Sequence, residues 1–169
     1  MRPGEHPEFF RAKPPEGRSR ESTIRLDASG CFWHDGARVE HRGLAAALHT
    51  WIGRHPDDGR YILNNGYDWT YFAVDDAPYT VRTVRLEAER IVLVLSDGSD
   101  EELRAPTLRV AADGALHADV KAGAAGGPFD AKFSRHAQTA LGPALVETED
   151  GAVGIVVGGH VSPLGPLIE

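Results

Sequence analysis

The histidines are the most obvious residues in this sequence that could do chemistry. Eight are present, and four of them fall within residues 34–55: His34, His41, His49 and His55. Two imidazoles bind one metal ion most directly when they stand four residues apart on a helix, and no pair has that spacing. We therefore predict no metal site and interpret these histidines as ordinary surface residues.

Other motifs resemble known sites but lack a defining part. The Gly-rich run "GAAGGPFDAK" has no Gly-Lys-Ser/Thr ending, and Asp130 would repel a phosphate there. We interpret Asp130 as the N-cap of a helix. The acidic run "SDGSDEE" lacks the ligand order of a calcium loop, and Cys31 has no cationic neighbour in sequence that would lower its pKa. We predict no cofactor and no catalytic residue.

An aromatic stretch, "NNGYDWTYFAVDD", follows the histidine-rich part. If it forms one alternating strand, Tyr67, Trp69 and Tyr71 share a face. We interpret the strand as mainly structural, covered by the predicted helix that ends near Trp51, and expect Trp69 to be buried. The alternative is an aromatic-lined groove, because Tyr and Trp keep a polar end that suits half-exposed clefts.

Binding residues are predicted where turns and corners expose aromatic and polar groups. Trp33 and His34 stand at the tip of a predicted hairpin, and Asp76 and Tyr79 bound the corner after the aromatic strand. With Tyr71 on that strand, these residues are our candidates for binding a ligand or partner.

Composition excludes several classes of protein. The chain has 169 residues, a net charge of -7 and one cysteine. A phosphate backbone would be repelled by that charge, so we expect no nucleic-acid partner. No apolar run is long enough to span a membrane, and the first residues do not resemble a secretory signal. We therefore expect a cytoplasmic protein whose partner is an unknown protein or small molecule; the sequence does not predict its oligomeric state.

The chain divides into three predicted segments. Residues 1–22 are rich in proline and charge and are predicted to be a disordered tail. The alternative is a peptide that docks on a partner through Phe9 and Phe10. Residues 23–105 are predicted to form a first α+β lobe, and residues 106–169 a second, smaller lobe packed on the first.

The element pattern predicts an α+β fold. Asp35-Gly36 is typical of a two-residue hairpin turn, and several further segments alternate as antiparallel strands do. Two amphipathic stretches, near 43–53 and 130–145, predict helices that cover the sheets. The fold class we predict is mainly antiparallel strands in two related strand–helix lobes with two covering helices.

The two lobes also share a sequence pattern. "IRLDASGCFWHD", from Ile24, aligns without gaps on "LRVAADGALHAD", from Leu108. Each is followed by a predicted helix and then by an apolar strand. An internal duplication is therefore a hypothesis, with the recurrence of turn glycines and strand hydrophobics as the alternative.

Several short motifs follow one another across residues 23–164. "SGCFWHDG" precedes an amphipathic helix, "RYIL" and "VDDAPYTV" come next, and a "GIVVGG" strand leads to "SPLG". In this order they resemble the bacterial domain-of-unknown-function family 1285, although "NNGYD" replaces the proline or acidic residues usual there before the aromatic strand. The resemblance implies a small α+β fold with a repeated strand–helix arrangement, and it implies no established activity.

These observations favour a non-enzymatic binding or regulatory module, with a role in signalling. The alternative is a small-molecule-binding protein or enzyme with an aromatic-lined pocket. A metabolite retained through purification would favour the alternative.

Overall fold

A computed structural model describes residues 3–168, and their contacts group into two compact units. Unit 1 consists of the residues up to Pro78 together with Gly123–Gly127. Unit 2 consists of Tyr79–Ala122 together with the residues from Pro128 onward. Antiparallel strands dominate and helices are few, so the predicted α+β class is confirmed.

Unit 1 contains two α-helices and seven short strands within its described residues. In chain order they are α1 (Pro7–Arg11), β1 (Arg25–Leu26), β2 (Phe32–His34), β3 (Ala37–Arg38), α2 (Arg42–Thr50), β4 (Ile52–Arg54), β5 (Tyr61–Asn64), β6 (Trp69–Tyr71) and β7 (Ala73–Val74). The strands form two sheets, ordered β3-β2-β1-β7 and β4-β5-β6. Strands β1 and β7 are parallel, and the other neighbours are antiparallel.

Unit 2 contains one α-helix and ten strands within its described residues. In chain order they are β8 (Tyr79–Leu86), β9 (Ile91–Leu95), β10 (Asp100–Glu102), β11 (Arg109–Ala111), β12 (Leu116–Val120), β13 (Phe129–Phe133), α3 (Arg135–Leu141), β14 (Leu145–Glu147), β15 (Val153–Val157), β16 (His160–Pro163) and β17 (Gly165–Ile168). They form a seven-stranded sheet, β10-β9-β8-β13-β12-β11-β17, and the sheet β14-β15-β16.

The division into units differs from the predicted lobes of 23–105 and 106–169. Strand β8 pairs with β13, and β9 and β10 extend the same sheet. The meander β8–β10 therefore belongs with the second half of the chain. Sequence periodicity shows where strands are, but it does not show which strands pair.

The hairpins β1–β2 and β11–β12 are built alike. Residues aligned in the sequence occupy equivalent pairs, namely Arg25–Trp33 with Arg109–His117 and Leu26–Phe32 with Val110–Leu116. Gly30 and Gly114 take left-handed φ angles of 83° and 84° at equivalent turn positions. Such a φ favours glycine, which has no Cβ to clash with the following carbonyl.

Side-chain bonds and topology repeat as well. Thr23 Oγ1 accepts a hydrogen bond from the Asp35 N–H at 2.9 Å, and Thr107 Oγ1 accepts one from the Asp119 N–H at 3.1 Å. Each hairpin is followed by a third strand, a helix, a three-stranded meander and a strand that returns parallel to the first. Both units thus have the strand–helix arrangement that the resemblance implied, and its origin by duplication stays a prediction.

Helix α2 lies close to the predicted range of 43–53. It begins after His41, whose Nδ1 accepts the Leu44 N–H at 3.1 Å. It ends at Thr50, because Ile52–Arg54 form β4 and pair with β5.

The predicted start of the second helix at Asp130 is wrong. Phe129–Phe133 form a strand, β13, between β8 and β12. The alternating burial of this strand has the period of a sheet, and Asp130 lies half-buried in it rather than at a helix start. The N-cap is Ser134, whose Oγ accepts the Ala137 N–H at 3.0 Å.

The aromatic stretch is not one strand. Only Trp69–Tyr71 form β6, and the chain then moves at Phe72 to β7, in the other sheet of unit 1. Tyr67 lies before the strand, 77% exposed, in a turn where the Asn65 side chain accepts the N–H groups of Tyr67 and Asp68. Trp69 is buried, at 5% exposure.

Candidate functional site

Three rings of unit 1 form a cluster that we call the aromatic platform: His55, Trp69 and Tyr71. The His55 ring lies 5.0 Å from Trp69, edge to face, and 5.7 Å from Tyr71, stacked, while Trp69 and Tyr71 meet at 5.0 Å and 90°. These are the separations at which aromatic pairs attract. His55 and Trp69 are buried, at 7% and 5% exposure, and Tyr71 is half-buried.

Strand β6 and the turn after β4 place these rings together. Trp69 and Tyr71 project from the same face of β6 because side chains alternate along a strand. His55 begins the turn that joins β4 to β5, where its N–H donates to the Arg60 carbonyl at 2.8 Å. Gly59 accepts the left-handed φ of 72° that closes the turn.

The ring N–H groups of the platform donate to backbone carbonyls of helix α1. His55 Nδ1 accepts the Asp57 N–H at 3.1 Å, which places the ring proton on Nε2. Nε2 then donates to the Phe10 carbonyl at 3.2 Å. Trp69 Nε1 donates to the Phe9 carbonyl at 3.3 Å. Two consecutive carbonyls are thus held by side chains of the platform.

Side chains of α1 also contact the site. The Phe10 ring lies 5.8 Å from the His55 ring and 6.2 Å from the Trp69 ring. Arg11 forms a two-point ion pair with Asp57, with N–O distances of 3.1 Å and 3.2 Å. This fork geometry matches a guanidinium to a carboxylate in both distance and direction.

Two further guanidinium groups cover the outer faces of the platform. Arg60 lies 3.7 Å above the Tyr71 ring and pairs with Glu21 through two contacts of 2.8 Å. Arg20 lies 4.6 Å from the Trp69 ring and donates to Asp68 at 2.5 Å. These cation–π contacts hold the rings in place.

The Tyr71 hydroxyl is held by an acid. It donates to Asp58 Oδ2 at 2.6 Å. Burial, and then this hydrogen bond to a carboxylate, raise the pKa of Tyr71 to about 12. The same bond lowers the pKa of Asp58 below its usual range. The phenol therefore stays protonated and acts as a donor at neutral pH.

Of the predicted site residues, Tyr71 lies in the platform, and the others lie elsewhere. Trp33, on β2, is half-buried and donates from Nε1 to Asp27 at 2.8 Å. His34 is exposed, with Nε2 3.5 Å from Asp35, and Asp76 is exposed as well. Tyr79 belongs to unit 2 and is buried, and this burial raises its pKa well above the usual range.

His55 is the residue of the site that sequence reasoning missed. The interpretation of the four early histidines as surface residues is wrong for His49 and His55, which are buried at 6% and 7% exposure. His49 packs against the Phe32 ring at 4.8 Å. The one signal for His55 was its place before the turn "PDDG", ahead of the aromatic stretch.

Two open cavities lie in unit 1, and one of them borders the platform at Trp69. One, of about 150 Å³, is lined by Trp69 and by seven further residues: Ile24, Leu48, Trp51, Leu63, Asn65, Asp68 and Thr70. The other, of about 320 Å³, is lined by Gly4, Glu5, Thr50, Trp51, Asn64, Asn65 and Gly66. The first can accept a small apolar group, since a pocket that encloses a whole drug-sized molecule measures roughly 300–1,000 Å³.

Comparison with known proteins rests on structure alone. No family model matches the sequence, and no curated protein sequence matches it. The crystal structure of a DUF1285 family protein from Silicibacter pomeroyi DSS-3 matches with a TM-score of 0.68 at 20% identity, over 92% of this chain and 91% of that one. The chain has a DUF1285-like fold. A second DUF1285 family protein, from Shewanella baltica OS155, matches with a TM-score of 0.54 at 14% identity, over 69% of this chain and 87% of that one.

In unit 2, this DUF1285-like fold carries a partly buried polar network at the second hairpin. His117, 4% exposed, has Nδ1 at 3.0 Å and 3.1 Å from the two carboxylate oxygens of Asp130. Arg109 donates to Asp130 at 2.6 Å and to Asp119 at 2.9 Å. The network ties β11, β12 and β13 together and satisfies charges that would be costly to bury alone.

A second polar cluster of unit 2 surrounds Lys121, which has a left-handed φ of 58°. Lys121 Nζ lies 2.7 Å from an Asp97 oxygen and 2.7 Å from Ser99 Oγ. The backbone N–H of Lys121 donates to the Glu101 carboxylate at 2.9 Å. Burial by itself would raise the pKa of Asp97, but the hydrogen bonds from Lys121 and Ser99 outweigh it and hold that pKa below its usual range. These bonds offset the cost of a left-handed lysine.

Neither a membrane span nor a metal cluster is visible in the part of the chain that the structure describes. None of its helices has the length and apolar character needed to cross a bilayer. Among residues 3–168, no group of three or more His, Cys, Asp and Glu side chains is placed to hold a metal ion. The expectation of no cofactor stays a prediction.

Proposed function

We propose that the chain is a non-enzymatic binding or regulatory module and that its recognition site is the aromatic platform of unit 1. One observation carries the proposal: the platform already holds a polypeptide segment through side-chain contacts, at Phe9–Arg11. A surface with the donors and rings to hold one peptide has the chemistry to hold another. Tyr and Trp are also enriched where proteins bind each other.

The charge around the platform indicates which partner would bind. Asp57 and Asp58 stand at its edge, and the whole chain carries a net charge of -7. The two arginines over the rings, Arg20 and Arg60, are each paired with a carboxylate, Asp68 and Glu21. A partner segment with a basic residue would be attracted to this edge, and an acidic one would be repelled. We therefore expect a protein partner that presents an apolar group beside a cation, not a nucleic acid.

Trp33, His34, Asp76 and Tyr79 complete the proposed set of binding residues. The exposed His34 and Asp76 offer polar groups to a partner without leaving a buried donor unpaired. Trp33 presents a half-buried ring at the hairpin tip. Tyr79 is the weakest member of the set, because its buried side chain offers little surface to a partner.

The alternative function is a small-molecule-binding protein or an enzyme. The cavity of about 150 Å³ favours it, since Trp51 and Trp69 supply apolar walls, and Asn65 and Asp68 supply polar groups. Native mass spectrometry of freshly purified protein distinguishes the two functions. A stoichiometric small molecule retained on the chain would support the alternative.

Three further statements belong to the proposal. The role in signalling rests on the sequence motifs, none of which forms a complete catalytic set. The cytoplasmic location rests on the single cysteine and the acidic charge. The internal duplication rests on the matched register and topology of the two units. The two solved structures compared above come from bacteria, which supports a bacterial origin.

The test of the proposal is selection of peptides against the full chain. A random peptide library is panned on the wild-type protein, and hydrogen–deuterium exchange then maps where the enriched peptides bind. We expect protection of residues 54–60 and 68–72, with a scrambled peptide as control. Enrichment of no peptide, or protection confined to unit 2, would contradict the proposal.

A further inference from the structure

We infer that the aromatic platform recognises a short peptide in which an aromatic residue is followed by a basic one, and that Phe10 and Arg11 occupy it as a removable internal ligand. The inference rests on the proposed function and adds both the class of peptide and the means of regulation. Helix α1 (Pro7–Arg11) would then keep the site closed until a competing peptide displaces it.

The contacts of α1 define what the site reads. The ring N–H groups of His55 and Trp69 bind two consecutive carbonyls, which any peptide can supply. The faces of the same rings contact the Phe10 side chain, and this contact selects an aromatic residue. Asp57 binds the guanidinium of Arg11 at two points, which selects a basic residue directly after the aromatic one.

The segment is held too weakly to be a permanent part of the core. Helix α1 has five residues, and none of them is buried. A helix of this length does not persist without its contacts, since isolated helices shorter than roughly 12–15 residues are marginal in water. Its N-cap, His6, makes no side-chain cap bond. Arg11 and Asp57 are about half exposed, so their ion pair is screened by solvent.

The platform does not need α1 to keep its shape. Asp57 fixes the His55 ring through its backbone N–H, and Asp58 fixes the Tyr71 hydroxyl. Arg60 lies over the opposite part of the site, on the Tyr71 ring. When α1 leaves, the ring N–H groups of His55 and Trp69 lose their acceptors, and Asp57 loses its cation. A peptide with the same groups restores all of these bonds, so exchange of one peptide for another costs little.

The composition of the first residues fits a segment that exchanges between bound and free states. Proline and charge favour an extended, solvated chain, whereas Phe9 and Phe10 supply the apolar contacts of the bound form. The segment therefore combines the two sequence expectations, a disordered tail and a docking peptide. The partner that it docks on is its own chain.

The experiment measures binding of a fluorescein-labelled peptide with the sequence EHPEFFRAKP to the full-length protein by fluorescence anisotropy. Wild type is compared with Phe10→Ala, which releases the internal segment, and with Lys13→Ala, a matched change at an exposed position of the same segment. We expect Phe10→Ala to bind the peptide about tenfold more tightly than wild type, because affinity scales with the fraction of open sites. Lys13→Ala should bind as wild type does.

A second pair of variants keeps the test decisive if Phe10→Ala folds poorly. Arg11→Ala removes the ion pair with Asp57, together with a weaker one to Glu8 at 3.6 Å within α1. Arg85→Ala removes an ion pair of similar exposure in unit 2, with Asp100 at 3.2 Å. Arg11→Ala should bind the peptide about threefold more tightly than wild type, as expected for loss of a surface ion pair. Arg85→Ala should show no gain.

Peptide specificity is the remaining arm. In the Phe10→Ala chain, replacing the second Phe of the labelled peptide by Ala should remove the tighter binding, and replacing the Arg by Ala should weaken binding about threefold. Equal affinity in wild type and both released variants would overturn the inference. If panned peptides bind the platform but the released variants gain nothing, the proposed function stands and the internal ligand is refuted.

Discussion

Units 1 and 2 build the same hairpin but surround it with different polar contacts. Arg25 pairs with Trp33 in the first, and Arg109 pairs with His117 in the second, in the same register. The Arg25 side chain is 43% exposed and makes an ion pair with Asp75 near the surface. The Arg109 side chain is 23% exposed and contacts two carboxylates. The two hairpins therefore have the same backbone pairing, but the arginine of the second one makes more ion pairs than the arginine of the first.

The difference shows that fold and chemistry are set at separate positions. Turn glycines and the pairing of apolar residues produce both hairpins, and these positions are alike. Arg109 and Asp119 have identical counterparts in Arg25 and Asp35, whereas His117 stands where unit 1 has Trp33, and His117 binds Asp130. In unit 2 the polar groups satisfy each other, whereas in unit 1 some of them are satisfied by a peptide segment. Under the proposed function, unit 1 would bind the partner and the network of unit 2 would contribute to stability.

The largest effect should come from the core of unit 1. Trp69→Ala removes a platform ring that is only 5% exposed and leaves a cavity in its place on β6. We expect the free energy of unfolding to fall by about 3–5 kcal/mol. Denaturant unfolding measures this loss. Tyr67→Ala, at a ring that is 77% exposed, is the control and should change the free energy by about 0.5 kcal/mol or less.

The next largest loss of stability should come from the partly buried network of unit 2. Asp130→Asn removes the charge that faces both His117 and Arg109. We expect a loss of about 1–3 kcal/mol, because two donors lose a charged acceptor in a poorly solvated place. Asp100→Asn, at the exposed pair with Arg85, is the matched control. If both variants unfold at the same denaturant concentration, the network does not stabilise unit 2.

How far the sequence predicts this molecule depends on the kind of feature. Local turn chemistry predicts well: Asp35 and Gly36 have left-handed φ angles of 51° and 77° and form the two-residue turn between β2 and β3. The pairing of β8 with β13 was not predicted, because it joins segments that are far apart in the sequence. The strand at Phe129–Phe133 was mistaken for a helix, because short apolar runs fit both periods.

The site was predictable only in part. Tyr71 stands out because all four tyrosines fall between residues 61 and 79. His55 and the docking of Phe10 do not, because they depend on contacts between residues far apart in the chain. Whether Trp33, His34, Asp76 and Tyr79 bind a partner stays a prediction.

The Lys121 cluster should make the free energy of unfolding depend on pH under acidic conditions. The pKa of Asp97 is lowered in the folded chain, so its stabilising effect is present above the unfolded value of about 3.9 and is lost as pH falls through the folded value. Below about pH 4, we expect the free energy of unfolding of the wild type to fall with pH. Lys121→Met should reduce that fall, because it removes the hydrogen bond that lowers the pKa. Urea unfolding over a pH series measures both chains, and identical slopes would count against this role for Lys121.

The smallest effect on stability should come from His34, next to the turn between β2 and β3. His34 is exposed, so His34→Ala should change the free energy of unfolding by about 0.5 kcal/mol or less. If His34 belongs to the binding surface, the same variant should bind a partner more weakly. Denaturant unfolding and titration with a panned peptide measure the two effects. A large loss of stability with unchanged binding would reverse the assignment.

The most direct test of the binding site uses the indole N–H signals of the tryptophans in one ¹H–¹⁵N NMR spectrum. The Trp69 indole N–H donates to the Phe9 carbonyl, and the Trp33 indole N–H donates to Asp27, outside the platform. On titration of the Phe10→Ala chain with the peptide EHPEFFRAKP, we predict that the Trp69 signal moves toward its position in the wild-type spectrum while the Trp33 signal stays in place. A shift of Trp33 with Trp69 unchanged would place the site at the first hairpin and contradict the account.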